Sequence, residues 1–159
     1  MECRDFLKTP IGVLEIVADE KNILAINFTK QARLDLAERA RRKNSNALTE
    51  KCVVTLKEYF FGNKKKFSLD LEFVGTDFQK KVWQTLVRVP YGSIISYGDL
   101  ATMIGQPKAA RAIGGAVNKN PIPIIIPCHR VLGSDGKLVG YEGGLWRKKW
   151  LLQHENSFD

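Results

Sequence analysis

Three short apolar runs near the N-terminus constrain the fold of this chain most. Phe6-Leu7-Lys8-Thr9-Pro10-Ile11-Gly12 reads as a strand broken at a Thr-Pro turn. Residues 13–18 form a second run, and Asp19-Glu20-Lys21-Asn22 separates it from a third, Ile23–Phe28. Alternation with polar turns between the runs predicts an antiparallel meander. Helices are expected over 30–43 and 47–61. In the second, Leu48, Cys52, Leu56 and Phe60 recur every fourth residue, a buried stripe that makes Cys52 a core residue. Gly62 ends that helix, and Lys64-Lys65-Lys66 reads as a solvated turn. Phe67, Leu69, Leu71 and Phe73 alternate with polar residues and predict a further strand. Val74-Gly75-Thr76 marks the expected boundary between a sheet-and-helix domain, 1–74, and a second domain, 75–159.

From Asp77 the pattern changes to helices and loops. Thr76 or Asp77 is expected to cap a helix carrying Phe78, Val82, Trp83, Leu86 and Val87, stopped by Pro90-Tyr91-Gly92. Ser96 is expected to cap a helix over 97–104 that Gly105 ends, and another helix follows Gln106-Pro107 over 108 to about 117. Two short helices around a glycine-containing turn make a helix-turn-helix. The second has Ala109, Ala110, Ala112, Gly114, Gly115 and Ala116, with Arg111 as its one large side chain. Each glycine costs a helix about 1 kcal/mol relative to alanine, so close approach to something should offset it. Another helix and a nucleic-acid groove both fit; the lone arginine tilts the reading towards DNA.

Composition narrows the class. The 159 residues carry a net charge of +8, which suits nucleic acid, although a generically basic surface has the same balance. The excess is larger from residue 75 onward, with 11 basic against 6 acidic side chains, than before it, with 14 against 11. No apolar run approaches the about 18–20 residues of a membrane span, and the first residues lack the apolar core of a signal peptide. Three cysteines without paired spacing make a disulfide framework unexpected and a reducing cytoplasm expected. Two histidines and no CxxC leave no zinc site in prospect.

Pro127-Cys128-His129-Arg130-Val131, directly after Ile122-Pro123-Ile124-Ile125-Ile126, carries the chemistry. A thiol is nucleophilic as its thiolate, and histidine is the side chain most able to take its proton near pH 7. An inert buried cysteine beside an unrelated histidine is the plainer alternative.

This pentapeptide resembles the active-site signature of the O6-alkylguanine-DNA alkyltransferases, also called methylated-DNA–protein-cysteine methyltransferases. The likeness extends through Tyr91-Gly92, Ser96-Tyr97-Gly98-Asp99-Leu100-Ala101, Arg111-Ala112-Ile113-Gly114-Gly115-Ala116, Asn120-Pro121-Ile122-Pro123, Gly140-Tyr141-Glu142-Gly143-Gly144 and Trp150-Leu151-Leu152-Gln153-His154-Glu155. The resemblance implies an α/β (α+β) fold: a small N-terminal sheet with helices in a ribonuclease H-like layout, and a mainly helical C-terminal domain with the helix-turn-helix. It implies DNA repair by single-turnover transfer of an alkyl group from O6 of guanine to Cys128. His129 matches the base that takes the thiol proton through a water, and Glu155 the carboxylate that orients it, as in a triad. Adjacent side chains in extended backbone point apart, so a water or a bend at Pro127 is needed for 128 and 129 to communicate.

By the same resemblance, Asn120 supports the turn carrying the cysteine, Tyr97 donates to the departing base, Val131 and Glu142 contribute backbone to the guanine edge, and Tyr141 lines the pocket. The base must leave the duplex, at a cost of a few kcal/mol. Arg111 matches the side chain that replaces it, on a helix thin enough for a minor groove about 6 Å wide. Gln106, Lys108 and Ser134 are further candidates for DNA contacts. The implied partner is double-stranded DNA containing O6-alkylguanine, bound by a monomer, with no cofactor, no metal and no membrane. Glu142 departs from the small or neutral residue common at its position, and a carboxylate there could repel DNA or alter which alkyl groups are accepted.

Other readings stay open at this level. A damage sensor would keep the arginine and pocket but lack the cysteine that is present here. A cysteine hydrolase would leave the basic helix-turn-helix unexplained. A regulator would use that motif at one operator.

Overall fold

The structure, a computed structural model, describes residues 2–29 and 44–157. It divides into two compact units, Met1–Glu72 and Phe73–Asp159. The helix expected over 30–43 lies outside the described residues.

In the first unit, β1 (Cys3–Thr9), β2 (Gly12–Ala18) and β3 (Ile23–Phe28) form an antiparallel sheet in chain order. β1 begins three residues earlier than expected, and the Thr-Pro break is the hairpin turn itself. The Thr9 hydroxyl donates to the Gly12 carbonyl at 2.7 Å and accepts from the Ile11 amide at 3.1 Å. Gly12 sits at φ 108°, a conformation that a side chain would strain. β1 and β2 pack against α1 (Ala47–Phe61), whose buried face holds Cys52, Leu56, Tyr59 and Phe60. Asn46 caps α1 by accepting from the Thr49 amide at 2.8 Å, while the Thr49 side chain accepts from Asn46 N–H. Such caps contribute about 1 kcal/mol.

The strand expected over 67–73 does not form as a ladder. Leu71 makes one parallel bridge with Ile23, with hydrogen bonds from Ile23 to Asp70 and from Glu72 to Ile23. The segment still turns Phe67, Leu69, Leu71 and Phe73 inward and the residues between them outward. One-sided burial satisfies the alternation without a continuous ladder, which is why the pattern reads as a strand.

The second unit opens with α2 (Asp77–Leu86), capped by Thr76 in a reciprocal pairing with Gln79. It ends four residues before Pro90, and Val87, expected on its apolar face, is exposed. β4 (Ile95–Ser96) follows and leads straight into α3 (Tyr97–Met103), with Ser96 capping it by accepting from the Asp99 amide. α4 (Ala110–Asn118) starts two residues later than expected, after a turn at 107–108. Trp83, buried on α2, donates its indole N–H to the Ala116 carbonyl at 2.9 Å and ties α2 to α4. A 3-10 turn at Cys128–Arg130 runs into β5 (Val131–Leu132), which pairs in parallel with β4. α5 (Leu145–His154) closes the unit by packing on that turn. No helix among the described residues is long and apolar enough to cross a membrane.

Candidate active site

The backbone around Cys128 is built from the loop before it. Asn120 is buried; its side-chain amide donates to the Ile126 carbonyl at 2.8 Å, and its oxygen accepts from the Ile122 amide at 2.9 Å. Ile126 N–H also returns to the Ile122 carbonyl at 2.9 Å. This closure holds Ile124 at φ 75°, which a β-branched residue rarely adopts, and the side chain is fully buried. Pro127 then bends the chain into the 3-10 turn, one of the two arrangements expected for Cys128 and His129, so neither is in extended backbone. Both are buried.

His129 Nε2 lies 2.8 Å from Glu155 Oε2. Glu155 follows the last turn of α5 and is 1 % exposed. Arg130, quoted in the sequence motif but given no role, makes the site's densest polar contacts. Its Nε donates to Glu155 Oε1 at 2.7 Å, Nη2 to Oε2 at 3.0 Å and Nη1 to the Val89 carbonyl at 2.7 Å. Burial alone would push the Glu155 carboxyl up; the hydrogen bond and charge of His129 and the forked pair from Arg130 outweigh it and hold it well below the usual carboxylate range. Burial drives the His129 pKa down against the pull of Glu155, so the imidazole is neutral near pH 7 and its charge acts on Glu155 only in acid. With Glu155 ionised, Nε2 carries the ring proton and Nδ1 is left as the acceptor. Nδ1 is buried and has no hydrogen-bond partner among the described residues.

Burial pushes the Cys128 thiol up to about 11, opposed by a hydrogen bond with Asn120 and by the charge of Lys148. The thiolate is therefore not preformed, and proton removal belongs to the reaction itself. Lys148, on α5, is the largest omission of the sequence reading. It is fully buried and donates to the carbonyls of Val139 at 2.8 Å and Gly140 at 3.1 Å. Its Nζ stands 6.0 Å from the Tyr97 ring centre, and burial lowers its pKa to about 8. The helical spacing held a signal: Lys148, Leu151, Leu152 and Glu155 recur at intervals of three, four and seven, one inward face.

Burial raises the pKa of the Tyr141 hydroxyl well above the ordinary phenol range, and the nearby Cys128 thiol adds to the shift. Tyr97, half-buried, donates to the Val139 carbonyl at 3.2 Å, so its hydroxyl is already engaged. Val131 is buried on β5. Gly140, at φ 58°, lies so close to Tyr97 and Asn118 that a Cβ there would stand 3.6 Å from the Tyr97 hydroxyl and 3.3 Å from Asn118 Oδ1. Glu142 is exposed beside Tyr141.

Arg111, Gln106, Lys108 and Ser134 are all exposed, Arg111 on α4 and the others in the connecting segments. α4 buries Ile113, Ala116 and Val117 against the unit and turns Arg111, Ala112 and Gly115 outward. A Cβ at Gly115 would meet nothing within 4 Å. Packing inside the protein does not demand that glycine, so the thin outer face is free to meet a partner.

The chain resembles proteins of one kind along its length. Residues 77–157 match the family model described as 6-O-methylguanine DNA methyltransferase, DNA binding domain, and residues 3–73 match the ribonuclease-like domain of the same proteins. A methylated-DNA–protein-cysteine methyltransferase from Methanosarcina barkeri is 42% identical over 154 residues, covering 96% of each chain. The crystal structure of the Mycobacterium tuberculosis O6-methylguanine methyltransferase superposes with a TM-score of 0.84 at 37% identity, covering 100% of this chain and 95% of that one. A further structure holds the M. tuberculosis protein in complex with DNA, with a TM-score of 0.84 at 39% identity, covering 97% of this chain and 92% of that one.

Proposed function

We propose a reaction on one premise: this chain belongs to the 6-O-methylguanine DNA methyltransferase family. The reaction is DNA repair by transfer of an alkyl group from O6 of guanine to Sγ of Cys128. The observation that carries it is the continuous buried series Cys128, His129, Glu155 and Arg130, in which one ring nitrogen of the histidine is fixed by a carboxylate and the other is left to accept.

In this reading the thiol proton passes to His129 Nδ1 across a water, as the family resemblance implies. Sγ then attacks the alkyl carbon, an S–C bond forms and the C–O6 bond breaks. The guanine leaves with the electron pair and takes up a proton. Tyr97 is suited to donate towards the departing base, which requires its hydroxyl to leave the Val139 carbonyl. Val131, Glu142 and Tyr141 border the space where the base would lie. Asn120 holds the loop, and Glu155 sets the histidine tautomer. Because a thioether is a poor leaving group and the site offers no second nucleophile among the described residues, each molecule acts once.

The substrate in this reading is duplex DNA met by α3 and α4, with Gln106, Lys108 and Ser134 near the phosphates and Arg111 filling the gap of the extruded base. Arg111→Ala is expected to slow reaction with duplex substrate by on the order of tenfold or more, and reaction with free O6-methylguanine hardly at all, since only the duplex must be opened. Single-turnover rates on both substrates check this, and equal losses reject the role. Every proposed reacting group comes from one unit of one chain, which suits action as a monomer. Three free cysteines suit a reducing cytoplasm.

Lys148 supplies positive charge to the developing thiolate and pins the 139–140 backbone. Lys148→Met is expected to lower the transfer rate about tenfold, from loss of a nearby cation at short range. The check is the pH profile of thiol alkylation, which should move upward; a purely structural role would leave it in place. The direct test of the whole reading is peptide mapping after exposure to DNA containing radiolabelled O6-methylguanine, with the label expected on the peptide holding Cys128 and nowhere else.

A further inference from the structure

Tyr91-Gly92 is part of the sequence likeness, yet the reaction above gives it no role. The pair lies in the turn between α2 and β4, which the Ser93 amide closes on the Pro90 carbonyl at 3.1 Å. This turn meets the carboxylate end of the buried series at four points. The Val89 carbonyl accepts from Arg130 Nη1 at 2.7 Å. The Tyr91 ring centre stands 5.8 Å from the Arg130 guanidinium carbon. The Tyr91 hydroxyl donates to the His154 carbonyl at 3.3 Å. Gly92, at φ 82°, lies so close to the end of α5 that a Cβ there would stand 3.5 Å from the Glu155 carbonyl oxygen. Arg130 and Glu155 are buried, whereas Tyr91 is half-buried, so its ring is part of what separates the guanidinium from water.

We propose that Tyr91 is a positioning residue for alkyl transfer: its ring face holds Arg130, and through it the Glu155 carboxylate, where the His129 ring proton stays on Nε2. This rests on the transfer reading above. A cation is attracted to an aromatic face, and more strongly where water is excluded. With Nη1 tied to Val89 and the guanidinium against the ring, the edge formed by Nε and Nη2 is left to face Glu155. Without the ring, water competes for that edge and the carboxylate is freer to turn from Nε2. Part of the ring proton then moves to Nδ1, where it blocks acceptance of the thiol proton.

The test compares the full chain with Tyr91→Phe, which keeps the ring, and Tyr91→Leu, which does not. Tyr91→Gln, with a donor but no ring, takes the place of the leucine variant should that one not fold. Single-turnover transfer to Cys128 is measured from duplex O6-methylguanine and from the free base. Nitrogen NMR shifts of the His129 ring at neutral pH report the tautomer. The phenylalanine variant is expected to transfer within about twofold of the native rate. The ring-less variant is expected to lose about fivefold on both substrates alike, with the His129 shifts moving towards a mixture of tautomers. An unchanged rate or an unchanged tautomer in a folded ring-less variant overturns the proposal; a merely structural role would leave the tautomer in place. So does a loss confined to the duplex, which would assign Tyr91 to DNA. So does a phenylalanine variant as slow as the ring-less one, which would move the role to the hydroxyl. A native protein that places no methyl on Cys128 from either substrate overturns the alkyl-transfer reading itself, and this inference with it.

Discussion

Cys128→Ala is expected to eliminate alkyl transfer while leaving DNA binding intact. The substitution removes the only thiol of the second unit, since Cys3 and Cys52 belong to the first. Cys52 is buried in the other unit, where burial and the charge of Asp5 push its thiol up to about 12. Cys3 belongs to the first strand of that same unit. The exposed residues proposed to meet DNA share no hydrogen bond with position 128 among the described residues, so affinity for lesion-bearing duplex should persist. Mass measurement after incubation with methylated DNA, alongside a gel-shift titration, checks both halves. A methyl group found on the variant would sink the assignment of the nucleophile.

Glu155→Ala is expected to do the greatest structural damage of any single change at the site. It leaves the Arg130 guanidinium buried without its forked acceptor and the His129 ring without an orienting partner. Removing one member of a buried charge pair costs about 3–5 kcal/mol. That is a large share of the about 5–15 kcal/mol by which a domain is stable. Glu155→Gln keeps the shape and some hydrogen bonding, so it should fold better than the alanine variant yet still transfer slowly, because the histidine tautomer is no longer dictated by a charge. Denaturant unfolding and single-turnover rates separate the two effects. The sign of the pH dependence follows. Glu155 has a folded pKa depressed below its ordinary 4.5. Its stabilising contribution is therefore fully present above that value and is lost as the pH falls towards the folded pKa. Glu155→Gln should flatten the acid limb of the stability profile.

Much of this architecture was legible in the chain before its coordinates. Thr76 with Gln79 and Ser96 with Asp99 are spaced as reciprocal caps, and both start helices where the spacing says they should. The β1–β3 meander follows from alternation and turn residues. Three features escaped for physical reasons. The β4–β5 pair has two residues per strand, too short for any period to register, and joins segments 36 positions apart. The segment 67–73 carries a strand's alternation but meets its neighbour at a single bridge, a tertiary outcome that propensity does not encode. Lys148 and Arg130 were passed over because long cationic side chains are seldom buried unless paired. Their partners, two loop carbonyls and a glutamate 25 residues away, are visible only in three dimensions.

Ser96 belongs to two structures at once. Its backbone pairs with Leu132, four positions past Cys128, and its hydroxyl starts the first helix of the helix-turn-helix. Such a shared anchor works as a fixed ruler. In the proposed reading, that link sets the spacing between the thiol and the first of the two helices that meet the duplex. A lesion would then be processed only at a constant offset from where the helix pair sits on the groove, and lengthening the stretch between residues 96 and 110 would shift that offset without touching the chemistry.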